Sequence, residues 1–337
     1  MQVVLCYPVE AGDVSRIEQV SRDLTVVDAG QEGIAEALLE ADIFCGHAKV
    51  PVPWKDVVAQ GRLKWIQSSA AGLDHCLVDE VIASEIPVTS ASGLFANQVA
   101  EQTMALLFGL FRRIPLFWEA SRRREFIRRP TWDLHGKTIG LVGFGGNGRR
   151  IAEFLAPLRT RLIATDWFPV NRPDGVAALW GEDQLPRLLA ESDVVILSVP
   201  LNRHTHHLMN QEMFGCMREG SILINVARGP VVDEQAMVDA LQAGQLAAAG
   251  LDVTEIEPLP PESPLWEMDQ VLITPHVGAQ SARRVPDTTD FFCDNLTRFL
   301  GNQPLMNLVD KKLGFPSPEH RAIPGWRPRH RDSEGAF

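Results

Sequence analysis

Three short segments late in a chain of 337 residues each carry one polar side chain suited to work on a carbonyl. Arg228 stands in Asn225-Val226-Ala227-Arg228-Gly229, Glu257 in Glu255-Ile256-Glu257-Pro258, and His276 in Thr274-Pro275-His276-Val277-Gly278. A guanidinium is planar, keeps its charge and matches a carboxylate with two parallel hydrogen bonds. An imidazole changes charge near neutral pH, so it can give and take a proton. A carboxylate beside the ring favours its charged form. Upstream lies Gly143-Phe144-Gly145-Gly146-Asn147-Gly148, a glycine turn of the kind that binds dinucleotides. Together these are the parts for reducing a 2-keto acid by hydride transfer.

Each residue alone has a plainer reading. An arginine after a strand is usually solvated or salt-bridged, a glutamate before proline can simply start a turn, and a histidine after proline is commonly on the surface. What favours chemistry is their joint occurrence downstream of the glycine turn.

The elements that must position these residues alternate in type. Val3–Cys6, Leu24–Val27, Ile43–Cys45, Leu63–Gln67 and Val88–Thr89 read as short buried strands, with helical patterns such as Ile34–Glu40 between some of them. That alternation predicts an α/β domain with a largely parallel sheet. From Asn97 to Glu125 the pattern is one long helix, which Pro115 should kink or split. Strands are then expected at Thr138–Val142, Arg161–Thr165, Val194–Ser198, Ser221–Asn225, Ala248–Asp252 and Val271–Thr274, the plan of a doubly wound nucleotide domain. Phe291–Leu300 is an amphipathic helix expected to return to the first domain.

Gly143, Gly145 and Gly148 have the G-x-G-x-x-G spacing, after a strand and before a helix expected at Arg149–Leu155. The first glycine permits a tight turn, the second lets a pyrophosphate reach the backbone, and the third lets helix pack on strand. Asp166 follows Gly148 by eighteen residues, at the end of the next strand. A carboxylate there accepts hydrogen bonds from ribose hydroxyls and repels a 2′-phosphate. Trp167 and Phe168, rather than an arginine, come next, so NAD is favoured over NADP.

The chain resembles the NAD-dependent D-2-hydroxyacid dehydrogenases, a family that includes phosphoglycerate, glyoxylate/hydroxypyruvate and D-lactate dehydrogenases. The likeness runs from Leu63 to Val309 and rests on motifs in the family's order. These are Ala70-Ala71-Gly72-Leu73-Asp74-His75, the glycine turn, Ser198-Val199-Pro200-Leu201 with Thr205, Ile224-Asn225-Val226-Ala227-Arg228-Gly229, Leu251-Asp252-Val253 leading to Glu257-Pro258, and Thr274-Pro275-His276-Val277-Gly278.

The resemblance implies two doubly wound parallel-sheet domains, a Rossmann nucleotide domain and a flavodoxin-like substrate domain, with a cleft between them. Residues 1–98 with 292–314 would bind substrate, 99–291 would bind NAD, and 315–337 would form a tail. Arg228 would hold the substrate carboxylate, His276 would exchange the proton, and Glu257 would orient the ring and raise its basicity. Ala71, Gly72 and Leu73 would help bind the substrate. Gly143, Gly145, Gly146, Asn147, Gly148, Asp166, Val199, Pro200, Thr205, Val226, Ala227 and Gly278 would contact NAD(H), and Asp252 would take its carboxamide. Asn147 departs from the family's usual aliphatic residue. A homodimer is implied as well. Two other activities share the scaffold: a dinucleotide-sensing corepressor-like protein, and a phosphite-type dehydrogenase.

Bulk properties are those of a globular protein, with 45% hydrophobic and 22% charged residues. A net charge of −11 argues against a general nucleic-acid or anionic-membrane binder. Five scattered cysteines without a Cys-x-x-Cys pair suggest reduced thiols and a cytoplasmic location. No signal peptide is expected, and no segment reaches the roughly 18 apolar residues of a membrane span. His47 and Lys49 are candidates for substrate contact, Trp132 for packing at the domain entrance, and Arg122–Arg124 with Arg128–Arg129 for a solvated helix end. His75, His204, His206 and His207 show no metal spacing, are read as loop residues, and no metal is predicted.

Overall fold

The computed structural model describes residues 1–321. The chain folds as two compact units, one of Met1–Leu94 with the described residues from Ser281 to Arg321, the other of Phe95–Gln280. Both junctions fall earlier than the expected 98/99 and 291/292.

The first unit is built on β1 (Gln2–Cys6), β2 (Thr25–Asp28), β3 (Ile43–Gly46), β4 (Trp65–Ser68) and β5 (Val88–Thr89). They form one sheet in the order β2-β1-β3-β4-β5, with every neighbouring pair parallel. That order is the flavodoxin-like one. Helices α1 (Ala11–Glu18), α2 (Ile34–Ala37), α3 (Trp54–Gln60) and α4 (Asp79–Ala83) lie between the strands in sequence. Val3, Val4, Leu5 and Cys6 are all fully buried, which is why β1 reads as an unbroken apolar run instead of alternating.

In the second unit α5 (Ala96–Phe111) and α6 (Ile114–Arg122) replace the single long helix expected from the pattern. The break is at Arg112-Arg113, where Arg113 takes a left-handed φ of 51°. Pro115 then sits in the first turn of α6, where its missing N–H costs no helical bond. The strands are β6 (Thr138–Val142), β7 (Arg161–Thr165), β8 (Val176–Trp180), β9 (Val194–Leu197), β10 (Ser221–Asn225), β11 (Leu246–Leu251) and β12 (Val271–Ile273). All neighbours are parallel, in the order β12-β11-β10-β9-β6-β7-β8. The direction of winding reverses between β6 and β9, a switch point where doubly wound folds take nucleotides. Strand β8 was not anticipated: it lies at the sheet edge, and two of its five residues are alanines, which are depleted in strands. Helices α7 (Gly146–Leu155), α8 (Leu185–Glu191), α9 (Gln211–Cys216) and α10 (Glu234–Gln242) complete this unit.

The chain returns to the first unit through α11 (Arg284–Leu300), which starts seven residues before the expected Phe291. Pro286 is tolerated because it lies in the first turn. Phe292, Cys293 and Leu296 join the core beside Val3, Leu5 and Trp65. Asn295 donates to the Gln67 side chain at 3.0 Å and to the Met306 carbonyl at 3.0 Å. β13 (Val309–Asp310) pairs antiparallel with β14 (Phe315–Pro316), so the tail expected from 315 begins as an ordered hairpin. The remainder of that tail, 322–337, lies outside the described residues. No helix among the described residues is long and apolar enough to cross a membrane.

Candidate active site

The glycine turn joins β6 to α7. The helix starts at Gly146, inside the turn, and not at Arg149 as expected, with Gly145 as its N-cap. Gly143 has φ 92°, and a Cβ on Gly148 would lie 2.2 Å from the Gly143 carbonyl oxygen. Both positions therefore exclude side chains. A Cβ at Gly145, by contrast, would meet nothing within 4 Å. Open space over bare backbone at a helix N-terminus, where the first N–H groups lack helical partners, fits an approaching pyrophosphate.

Asp166 stands just past β7 and ties the turn in place. Its Oδ2 accepts from the Phe144 amide at 2.6 Å and its Oδ1 from the Phe168 amide at 2.9 Å. A carboxylate offers about four acceptor positions, so two remain for ribose hydroxyls. From the end of β9, the Ser198 hydroxyl donates to the Gly143 carbonyl at 2.8 Å. Thr205 shapes the loop that carries Val199 and Pro200, donating to the Pro200 carbonyl at 2.6 Å and accepting from the Asn202 amide at 2.9 Å.

The three chemical groups leave the ends of three adjacent strands. Arg228 follows β10 in a loop braced by buried Asn225, whose Oδ1 accepts from the Ala227 amide at 3.0 Å and whose Nδ2 donates to the Arg228 carbonyl at 3.1 Å. Val226 and Ala227, in the same loop, are buried. Glu257 follows β11 and His276 follows β12. The His276 Nδ1 and Glu257 Oε2 are 2.8 Å apart. Side-chain exposures of 42% for His276 and 38% for Glu257 leave the pair accessible to a small molecule. Burial raises the Glu257 carboxyl, but the hydrogen bond and charge of His276, the Thr254 amide and the charge of Arg228 outweigh it and hold it below its ordinary value. An ionised Glu257 accepts the Nδ1 proton and leaves Nε2 as the nitrogen able to exchange a proton with a ligand.

Asp252, only 3% exposed, closes the end of β11. Its Oδ1 accepts from the Thr274 hydroxyl at 2.7 Å and the Val277 amide at 3.0 Å, and its Oδ2 from the Gly278 amide at 2.8 Å. One acceptor position remains on a carboxylate of this kind.

Sequence reasoning missed a second histidine–carboxylate contact in this region. His207, expected as a plain loop residue, has Nε2 2.7 Å from Glu255 Oε1. Glu255 and Glu234 exchange backbone-to-side-chain hydrogen bonds at 3.0 Å each. Only the position of Glu255, two residues before Glu257, hinted at it.

The other expected residues are placed as follows. Ala71, Gly72 and Leu73 follow β4 in the first unit, where the Ser68 hydroxyl donates to the Ala70 carbonyl at 3.0 Å. Leu73 is buried there, while Ala71 is exposed. His47 stacks on His75 with ring centres 4.1 Å apart, and the Lys49 amide donates to Gln31 at 2.7 Å. Trp132 packs edge-on against Phe111 at 6.1 Å. Arg122, Arg123 and Arg124 are exposed at the end of α6.

Residues 104–278 match the family described as "D-isomer specific 2-hydroxyacid dehydrogenase, NAD binding domain". The chain is 35% identical over 270 residues to a glyoxylate reductase of Thermofilum pendens, covering 76% of this chain and 77% of that protein. It is 28% identical to a D-3-phosphoglycerate dehydrogenase of Methanocaldococcus jannaschii, over 94% of this chain and 62% of the other. A D-isomer specific 2-hydroxyacid dehydrogenase from Xanthobacter autotrophicus Py2, solved in complex with NADPH and MES, superposes with a TM-score of 0.79 at 29% identity, covering 93% of this chain and 99% of that one.

Proposed function

The chain belongs to the D-isomer specific 2-hydroxyacid dehydrogenases, and on that footing we propose that it interconverts a small 2-keto acid and its D-2-hydroxy acid using NADH. The family makes it an NAD(P)-dependent oxidoreductase; the substrate, the cofactor preference and the residue roles are our reading. Glyoxylate and hydroxypyruvate are the keto acids we favour, since a glyoxylate reductase is 35% identical.

In this reading the bare backbone at Gly145 and the first turn of α7 hold the pyrophosphate, and Asp166 takes the ribose hydroxyls. Asp252 offers its remaining acceptor position to the carboxamide. The dinucleotide supplies a hydride to the keto carbon. Arg228 binds the substrate carboxylate and turns the carbonyl toward the ring. His276 gives its Nε2 proton to the keto oxygen, so that hydride on carbon and proton on oxygen together turn the carbonyl into an alcohol. Glu257 keeps the Nδ1 proton in place and compensates the charge that the ring carries before transfer. In the oxidation direction the same nitrogen takes the proton back.

The observation that carries this reading is the 2.8 Å contact between His276 and Glu257, with the charge of Arg228 acting on the same carboxyl. Asp166 supports NADH over NADPH, although the Xanthobacter relative was solved with NADPH. The test is turnover of NADH and of NADPH against a panel of 2-keto acids. Oxidation of NADH with glyoxylate or hydroxypyruvate is expected, and His276→Ala should lower kcat by roughly 10²–10⁴-fold with the NADH Kd unchanged. Absence of turnover across the panel would remove the proposal.

A further inference from the structure

We propose that Gln102 and Thr274 are positioning residues that aim the proton-donating ring of His276, an inference resting on the role given to His276 above. The ring sits on a loop with little support from regular structure. β12 contributes three residues, paired to β11 alone, and the chain leaves it at Thr274. His276 itself adopts φ 53°, a conformation that a non-glycine residue keeps only when its surroundings impose it.

Asp252 is what imposes it. Its carbonyl oxygen accepts from the His276 amide at 2.7 Å, while its carboxylate accepts from the next two amides, Val277 at 3.0 Å and Gly278 at 2.8 Å. Three consecutive residues thus hang from one buried aspartate. The orientation of that carboxylate depends in turn on Thr274, whose hydroxyl donates to Oδ1 at 2.7 Å.

A hydroxyl has a single proton but can accept as well. The Gln102 Nε2 donates to Thr274 Oγ1 at 2.8 Å, so the hydroxyl's own proton is directed at the carboxylate, which also accepts from the two loop amides. The amide-to-hydroxyl and hydroxyl-to-carboxylate bonds run in one direction and polarise each other. Gln102 belongs to α5, and Leu106, Leu107 and Leu110 of that helix are buried in the core that also contains Ile224 and Ala248 of the sheet. The string therefore links a helix anchored in the core to the ring that must meet the keto oxygen. Misplacement of a reacting group by about 1 Å can cost on the order of 10²-fold in rate, so such a link has kinetic weight.

The test compares Thr274→Val, Thr274→Ser and Gln102→Leu in the full chain. Steady-state kinetics, NADH binding by fluorescence, melting temperature and the downfield imidazole N–H resonance are measured, the last assigned by its loss in His276→Ala. Thr274→Val is expected to lower kcat roughly 10–100-fold while KM stays within about twofold. Its imidazole resonance should shift or broaden in the protein without substrate. Thr274→Ser, which keeps the hydroxyl, should recover most of the rate, and Gln102→Leu should fall between the two. An unchanged kcat and resonance in Thr274→Val would overturn the proposal. So would a loss that follows melting temperature and is not recovered by serine, which would mean packing alone. If the parent turns over no keto acid, the function proposed above fails, and the resonance of Thr274→Val still decides this inference independently.

Discussion

Gly229 and Thr254 approach so closely that a Cβ on the glycine would sit 1.7 Å from the threonine carbonyl oxygen and 2.1 Å from its carbonyl carbon. Both obstacles are backbone, so no rotamer change could relieve them. The loop carrying Arg228 and the loop carrying Glu257 are thereby held together by the absence of a side chain.

Gly229→Ala should force those loops apart. Overpacking of this kind costs about 1–3 kcal/mol or more. The melting temperature should fall by several degrees and kcat/KM by roughly 100-fold, since a guanidinium and an imidazole displaced relative to each other no longer fit one substrate. Gly12→Ala serves as control: it lies in α1, and its methyl would meet nothing within 4 Å. Thermal melts and steady-state kinetics decide the matter; a Gly229→Ala enzyme as stable and active as the control would contradict the contact.

The acid limb of the stability curve should report Glu257. Its folded carboxyl lies below the ordinary value, so the fold favours the ionised form. The resulting stability is complete above the unfolded value of about 4.3 and disappears as pH falls through the lower folded value. Glu257→Gln should accordingly flatten the melting temperature against pH in that acidic window. The kinetic effect is separate. A neutral amide in place of the carboxylate no longer fixes the ring through Nδ1, so kcat should fall while the NADH Kd is unchanged. An unaltered kcat would rule out this partnership.

Asp166 braces the glycine turn, and in the proposed function it also takes the ribose hydroxyls. Asp166→Ser removes both that charge and the acceptor of the Phe144 and Phe168 amides, and comparing NADH with NADPH tells the two roles apart. Loss of hydrogen bonds to a charged group is worth about 1.5–3 kcal/mol, so NADH should bind roughly tenfold or more weakly. NADPH should lose less, because repulsion of its 2′-phosphate goes with the carboxylate. The two dissociation constants, measured by fluorescence titration, test this, and an unchanged NADPH-to-NADH ratio would mean that Asp166 serves the turn alone.

Much of the fold was legible because parallel strands buried on both faces are written as uninterrupted apolar runs, as in Val3–Cys6 and Val194–Leu197. β8 was not, since an alanine-rich edge strand draws its pairing from β7 and not from its own side chains. The helix break at Arg113 was located from Pro115 only to within a turn, because proline marks the start of the new helix and not the end of the old one. Among the candidate site residues, Arg228, Glu257 and His276 stood out because each lies in a short motif after a strand. The pairing of His207 with Glu255 joins residues 48 positions apart and has no such signature. Asp252 could be found as a residue but not as a brace, since its partners were only brought within reach by the register of β11 with β12.

β12 is an edge strand of its sheet and the shortest in it. Boundary segments of this kind open locally at free energies well under that of global unfolding. Warming should therefore extinguish catalysis while far-ultraviolet circular dichroism still reports an intact sheet, with backbone amides near His276 exchanging with solvent deuterium ahead of those in β9 and β10. The enzyme's working ceiling would then be set by the hold on a single peripheral loop and not by the melting of its core.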